Sequence, residues 1–216
     1  MIVLAVEGAL GAFSAAISEG ETVAASRSET GAVALERGLA LVASLLEERS
    51  LAPDRIDRLA TGIGPGGFTG LRIAVSYAKA LAAAWGRPLV PVSSFDILEC
   101  GRRFDPVLTV VVGRPGVISA RYRDGAEVRR ASGRIAEVLD ELLPGGAPPP
   151  LEVVGAPKDV LHALAERAIV VRPFEPLVTP AAAAAALIAS ALTPPASLHE
   201  IAPDYGELPA AKPPKR

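Results

Sequence analysis

The 216-residue chain is poor in cysteine and carries little excess charge of either sign. Cys100 is the only cysteine, so a disulfide within the chain is impossible, which fits a reducing compartment. The formal net charge is −2, and the sequence lacks the overall basic character of proteins that bind nucleic acid by themselves. The composition therefore argues against a nucleic-acid-binding protein acting alone.

The chain also lacks a hydrophobic run long enough to cross a bilayer. The alanine-rich run Ala181–Leu192 spans about a dozen residues, whereas a membrane-spanning helix needs about 20. The apolar segment Ile2–Ile17 has no basic flank, and Glu7 interrupts it, so it does not resemble a signal peptide. We expect a cytoplasmic protein that does not associate with a membrane.

Half of the residues are hydrophobic, enough for a core in two lobes of about 100 residues each. The apolar pattern predicts a strand meander at the start of each lobe, followed by alternating helices and strands. We predict an α/β fold with a mixed sheet and flanking helices in each lobe. The predicted lobes span residues 1–104 and 105–205, with a hinge at Phe104-Asp105-Pro106 and a flexible tail over 206–216.

Two helices are predicted in the first lobe, over Ala32–Arg49 and Leu71–Trp85. Both are apolar over more than one face, so part of that surface would stay exposed in a monomer and serve as an interface, unless both helices are buried on two sides. The predicted partner-binding residues are Leu35, Leu39, Val42, Leu71, Ala74, Val75, Ala78 and Ala82.

A glycine-rich segment over residues 61–72 lies between a predicted strand and the second helix. Thr69 could cap this helix, whose N-terminus could hold an anion. Gly62, Gly64 and Gly67 match the dinucleotide-binding pattern G-x-G-x-x-G, but Pro65 lies within it and no acidic residue follows at the required distance. Since no Lys-Ser or Lys-Thr pair follows either, a P-loop is excluded, and a tight turn without a ligand remains an alternative.

The segment Gly64-Pro65-Gly66-Gly67-Phe68-Thr69-Gly70-Leu71-Arg72, continued by Ala78-Lys79-Ala80-Leu81-Ala82, resembles the signature of the TsaB (YeaZ) family. Pro203-Asp204-Tyr205 resembles the family's ending. The chain departs from the pattern in Glu7-Gly8, which replace Asp-Thr, and in Gly67, which replaces serine. A histidine common in the family is missing near Thr30-Gly31, and Gly206-Glu207 replace Leu-Arg after the tail tyrosine.

This resemblance implies a two-lobed actin/Hsp70/sugar-kinase-like fold without a working catalytic site. It implies docking on TsaD, the transferase that forms N6-threonylcarbamoyladenosine at position 37 of tRNA, with the TsaE ATPase joining the complex. The first-lobe helices would form the heterodimer, or a homodimer when the chain is alone, and tRNA would be contacted only indirectly. It implies no cofactor or metal of this chain's own and leaves open ATP or ADP at the partner interface. The motif residues are Gly64, Pro65, Gly66, Gly67, Phe68, Thr69, Gly70 and Arg72.

Three other functions remain open on the sequence. A stand-alone actin-fold ATPase or kinase needs a carboxylate at the first strand turn, where Glu7 is the only candidate, and the sequence favours a solvated turn residue there over a general base. A peptidase is disfavoured because His162 and His199 form no H-x-x-x-H pair and no G-x-S-x-G motif occurs. A homodimeric scaffold with an unrelated partner is the third.

Overall fold

The computed structural model describes residues 1–31, 33–102, 105–145 and 150–206. Within them, two five-stranded sheets and six α-helices form two lobes. The strands are β1 (Ile2–Glu7), β2 (Phe13–Glu19), β3 (Thr22–Glu29), β4 (Arg58–Gly62), β5 (Leu89–Val92), β6 (Val107–Arg114), β7 (Val117–Asp124), β8 (Glu127–Arg134), β9 (Leu151–Val154) and β10 (Val171–Phe174). The helices are α1 (Gly38–Glu48), α2 (Phe68–Trp85), α3 (Ser94–Leu98), α4 (Ile135–Leu142), α5 (Lys158–Glu166) and α6 (Ala181–Ala191).

The two sheets repeat one topology. The first has the strand order β3-β2-β1-β4-β5, and the second has the equivalent order β8-β7-β6-β9-β10. In each, the first three strands form an antiparallel meander and the last two add in parallel, as a helical crossover permits. This arrangement confirms the predicted α/β class with one mixed sheet in each lobe.

Helices cover both faces of the first sheet. Alternate residues of β1, such as Leu4 and Val6, pack with α1 and α2, whereas Val3 and Ala5 point to the opposite face and pack with α6. Six alanines of α6 are completely buried there, because a side chain of one methyl group lets the helix lie close to the sheet. The predicted second lobe, 105–205, is therefore too long, because α6 packs in the core of the first lobe.

The two helices of the first lobe begin at other residues than the sequence pattern predicted. Helix α1 begins at Gly38 rather than Ala32, which lies outside the described residues, and residues 33–37 form turns. Helix α2 begins at Phe68, three residues before the predicted Leu71. The predicted cap of α2 is also wrong, since Gly67 is its N-cap and makes no side-chain hydrogen bond to the helix.

A buried ion cluster joins the two lobes. Arg121 of β7 lies 2.6 Å from Asp96 and 2.8 Å from Glu99 around α3, and Arg123 contacts Glu99 at 3.3 Å and Asp105 at 2.5 Å. Arg121 is buried, so these carboxylates replace its lost hydration. The cluster fixes the second sheet against α3 of the first lobe. Phe104, part of the predicted hinge, lies outside the described residues.

Within the described residues, the longest helices are too short or too polar to cross a bilayer.

Candidate functional site

The side chain of Glu7 lies buried at the end of β1, against the start of the glycine-rich segment. It is fully buried, and its carboxylate accepts hydrogen bonds from the backbone N–H groups of Ala9 at 2.6 Å and Leu10 at 3.4 Å. A Cβ on Gly62 of the neighbouring strand would lie 2.8 Å from Cγ of Glu7, so a glycine there makes room for the carboxylate. The interpretation of Glu7 as a solvated turn residue is therefore wrong.

Burial raises the pKa of Glu7 from its ordinary value of 4.5 to about 7. The three backbone N–H groups of Gly8, Ala9 and Leu10 act in the opposite direction, because they stabilise the ionised carboxylate, but burial dominates. Glu7 therefore orders the loop after β1 with both of its oxygens, which are engaged with that loop's own backbone.

The loop after β1 packs directly on the glycine-rich segment. The carbonyl of Ala9 accepts a hydrogen bond of 2.8 Å from the N–H of Gly67, at the N-terminus of α2. A Cβ on Gly66 would lie 2.3 Å from that same carbonyl oxygen, and one on Gly70 would lie 1.9 Å from the carbonyl oxygen of Gly8. Glycine is thus required at both positions because two backbone segments are in contact.

The same contacts occupy part of the N-terminus of α2, where the sequence suggested that an anion could bind. A phosphate at a helix N-terminus needs free backbone N–H groups, and here the Ala9 carbonyl occupies the Gly67 N–H. Among the described residues, no group of three or more metal-binding side chains occurs that could hold a cation beside it. The described glycine-rich segment thus acts as a packing element between β1 and α2.

The segment 198–206 crosses this region towards the second lobe. Ile201 is buried in the core of the first lobe, and the N–H of Asp204 donates a 2.6 Å hydrogen bond to the carbonyl of Ile63. A Cβ on Gly206 would meet Oγ of Ser119 in β7 at 2.2 Å. The segment therefore lies between the glycine-rich segment and the second sheet, in the cleft between the lobes.

An exposed aromatic cluster marks the end of this segment. Tyr205 packs on Phe68 with ring centroids 5.1 Å apart, and the guanidinium of Arg72 lies 5.2 Å from the Phe68 centroid. Phe68 is 56% exposed and Tyr205 is 38% exposed. The sequence motifs included all three residues but did not indicate that they meet.

Most of the predicted partner-binding residues lie inside the first lobe. The predicted surface is wrong for six of them, because the apolar stripes of α1 and α2 face the sheet; these buried residues are Val42, Leu71, Ala74, Val75, Ala78 and Ala82. Leu35 is half-buried and its carbonyl accepts a hydrogen bond from Tyr77, whereas Leu39 is 46% exposed. The structure thus leaves Leu39 as the one predicted position that is fully available to a partner.

The outer side of the same two helices carries several small or apolar residues beside the charged Glu47, Glu48 and Arg72. We call the following exposed positions among them the docking face: Leu39, Ala40, Ala43, Ser76, Ala80 and Ala84. Tyr77 of α2 lies against the first residue of α1, since a Cβ on Gly38 would meet its Cε2 at 2.8 Å, so the two helices are neighbours. Short side chains there allow another pair of helices to approach closely.

The fold defines a two-lobed protein with an actin-like architecture, in which the loop after β1 packs on the glycine-rich segment. A structure from Pseudomonas aeruginosa, described as an uncharacterized protein with similarity to peptidase YeaZ, superposes with a TM-score of 0.75. The two chains are 24% identical, and the match covers 95% of this chain and 99% of that one. This likeness confirms the predicted fold.

The family model described as TsaD, tRNA N6-adenosine threonylcarbamoyltransferase, matches residues 34–168. This range is more than half of the chain, which therefore belongs to that family, as a divergent member of the TsaB (YeaZ) type. The tRNA threonylcarbamoyladenosine biosynthesis protein TsaB of Bacillus subtilis is 37% identical over 76 residues, 35% of this chain and 33% of that protein.

An uncharacterized protein of Mycobacterium leprae is 36% identical over 113 residues, 52% of this chain and 30% of that protein. The chain spans between 30% and 53% of the length of the first curated relatives that it matches.

Proposed function

We propose that this chain is a non-catalytic accessory subunit that binds TsaD and activates it in forming N6-threonylcarbamoyladenosine at position 37 of tRNA. The observation that carries the proposal is the docking face, a set of exposed small and apolar residues on two neighbouring helices of the lobe that contains the family's glycine-rich motif. Surfaces of this kind on a single chain mark protein interfaces. An equivalent helix pair of TsaD is the proposed partner surface.

The environment of Glu7 supports a non-catalytic subunit. A general base must reach the proton that it removes, whereas the Glu7 carboxylate is fully buried and accepts hydrogen bonds from the loop that it orders. His162 and His199 are also exposed or half-exposed on α5 and on the 3-10 turn after α6, far apart in the chain. The proposal accordingly assigns the catalytic groups to TsaD.

The remaining parts of the proposal concern the assembly. TsaE joins the complex as a third protein, and the docking face forms a homodimer when TsaD is absent, because a self-complementary surface closes a twofold dimer. The chain needs no cofactor of its own, and any ATP or ADP binds at the interface with the partner. The proposed compartment is the cytoplasm.

The test mixes the purified chain with TsaD encoded by the same genome and measures mass by size exclusion with light scattering. The decisive variant is Ala80→Glu, since Ala80 is exposed on the docking face and a charge there would be buried by the partner. We expect the wild-type chain of 22.2 kDa to form a heterodimer and the variant to bind at least ~100-fold more weakly, about 3 kcal/mol.

Ala165→Glu is the matched control, because Ala165 is an exposed helical alanine on α5 of the second lobe. It should bind TsaD as the wild type does. Threonylcarbamoylation of a tRNA transcript by TsaD with each variant provides the activity measurement. A stable heterodimer that tolerates Ala80→Glu would remove the docking face from the interface, and the absence of any complex would refute the accessory role.

A further inference from the structure

Charge is distributed unevenly along the chain. The segment 114–134 contains six arginines against two acidic residues, a net charge of +4, although the whole chain has a net charge of −2. The six are Arg114, Arg121, Arg123, Arg129, Arg130 and Arg134, and the segment contains no lysine. The overall charge therefore conceals a local basic surface.

The fold concentrates this charge on the meander β6–β7–β8. Val117 pairs with both Arg114 and Arg134 across adjacent strands, and Arg121 pairs with Arg130. Adjacent strands are about 4.8 Å apart, so Arg121 and Arg130 are direct neighbours, and Asp96 and Glu99 compensate the charge of Arg121. Arg134 lies two strands away from Arg114, on the other side of Val117. Strand β8 is the outer strand of its sheet.

Only some of the arginines have acidic partners. Arg121 and Arg123 contribute to the buried ion cluster at the lobe junction, and Arg129 lies 3.0 Å from Glu127. Arg130 and Arg134 are exposed and, in the described part of the chain, neither lies within 4.0 Å of a carboxylate oxygen. We call Arg130 and Arg134, which lie on the same side of β8, the arginine strip; Arg129 lies on the other side of the strand, with Ala131.

The acidic groups around the strip do not neutralise it. Helix α4 carries Glu137, Asp140 and Glu141, but it packs with Ala131, whereas Arg130 alternates to the opposite side of β8 and lies 5.4 Å over the ring of Phe95. Asp204 lines the same cleft as Arg130 and carries one negative charge against the two positive charges of the strip, and its carboxylate also accepts a hydrogen bond from the N–H of Gly206. The strip thus retains net positive charge.

The residue type indicates what this surface binds. Charged residues on an outer strand also prevent strand pairing between molecules, a role in which lysine is common. A strip made only of arginine instead favours phosphate, because the planar guanidinium donates two parallel hydrogen bonds to phosphate oxygens. An eight-residue strand is about 26 Å long and can face several phosphates of one nucleic acid.

We propose that the arginine strip binds the phosphate backbone of the tRNA that the complex modifies, so that this chain contacts tRNA directly. The choice of tRNA among polyanions rests on the proposed function, since TsaD is a tRNA-modifying enzyme. Backbone contacts carry no sequence information, so the strip adds affinity and orientation equally for all tRNA substrates.

The experiment measures binding of an unmodified tRNA transcript to the full chain, alone and with TsaD, over a series of KCl concentrations. The variants are Arg130→Gln, Arg134→Gln and the double variant. Arg55→Gln removes one charge from an exposed position of the first lobe and is the control. Each strip substitution should make the salt dependence weaker, reducing the magnitude of the slope of log affinity against log salt by about 1. The double variant should bind at least ~10-fold more weakly at low salt.

The control should bind within about two-fold of the wild type, since its charge is far from β8. A double variant with wild-type affinity and salt slope would overturn the proposal, as would polyglutamate that competes as well as tRNA at equal charge. Failure of the chain to bind TsaD would refute the accessory role separately, because tRNA binding by the chain alone still tests the strip.

Discussion

Replacing Glu7 by glutamine should remove a pH dependence from the stability of the protein. Burial raises the pKa of Glu7 from 4.5 to about 7 in the folded state, so the folded protein retains the proton to higher pH than the unfolded chain does. Below pH 4.5 Glu7 is protonated in both the folded and the unfolded state, so it adds no pH dependence to the free energy of unfolding. The free energy of unfolding then falls as the pH rises from about 4.5 to 7 and levels off above that, because the unfolded chain loses the proton first and the buried carboxylate ionises without its hydration.

The size of this loss follows from the pKa difference. A shift from 4.5 to about 7, at about 1.4 kcal/mol for each pH unit, corresponds to about 3 kcal/mol between pH 5 and pH 8. Glutamine has nearly the same shape, and its carbonyl oxygen can still accept the Ala9 N–H, so the variant keeps one of the two hydrogen bonds and has no charge to bury.

Urea unfolding of both proteins at pH 5, 6, 7 and 8, at constant ionic strength, measures the effect. The difference between wild type and Glu7→Gln cancels every other titrating group, and it should grow by about 3 kcal/mol in favour of the variant from pH 5 to pH 8. Glu48→Gln, at an exposed carboxylate paired with Arg27, should leave the wild-type pH dependence unchanged. Parallel curves for wild type and Glu7→Gln would show that Glu7 is hydrated and would refute the buried geometry.

Two further substitutions test contacts that hold the site together. Gly70→Ala should destabilise the protein by more than about 2 kcal/mol despite the better helix propensity of alanine, because its Cβ would lie 1.9 Å from the Gly8 carbonyl oxygen. Gly67→Ala should be nearly neutral, because its Cβ would lie 3.6 Å from the nearest atom, the Ala9 carbonyl oxygen. Thermal unfolding compares the two variants, and equal melting temperatures would contradict the close packing at Gly70. Arg121→Met should lower the free energy of unfolding in urea by about 3 kcal/mol, because it leaves the half-buried Glu99 without its main partner. Adding Glu99→Gln to that variant should recover part of the lost stability. Additive effects of the two substitutions would show that the two residues are not coupled.

The repeated pattern of strands was enough to predict the class of fold. Each meander is marked by β-branched or small apolar residues around a glycine turn, at Gly20 and at Gly125, and both turns adopt positive φ angles. The helix bounds were less accurate where apolar residues continue beyond the helix. Val33 and Ala34 extend the pattern of α1 backwards, yet they lie in turns.

The docking surface was misassigned for a physical reason. Leu71, Val75, Ala78 and Ala82 recur at helical spacing because they form the side of α2 that packs on the sheet, and a stripe of that kind looks the same whether sheet or partner covers it. The exposed side of α2 is recognisable by its small residues, such as Ser76 and Ala80, at positions where a solvated helix usually carries more charge than Arg72 and Lys79 supply.

The role of Glu7 could not be read from its neighbours in sequence. A carboxylate between a strand and a glycine normally lies in water, and its burial here depends on Gly62, which is 55 residues away in the chain and leaves space for it. The arginine strip was hidden for the opposite reason, because a net charge of −2 averages over a basic meander and an acidic remainder.

The position of α6 has a consequence for biosynthesis. This helix fills one face of the sheet that begins at Ile2, so the first lobe stays open on that side until residue 191 has left the ribosome. The second lobe, which lies between in sequence, can form its own core earlier. The nascent chain should therefore complete its second lobe before its first, an inversion of the usual order in which domains fold from the N-terminus onward.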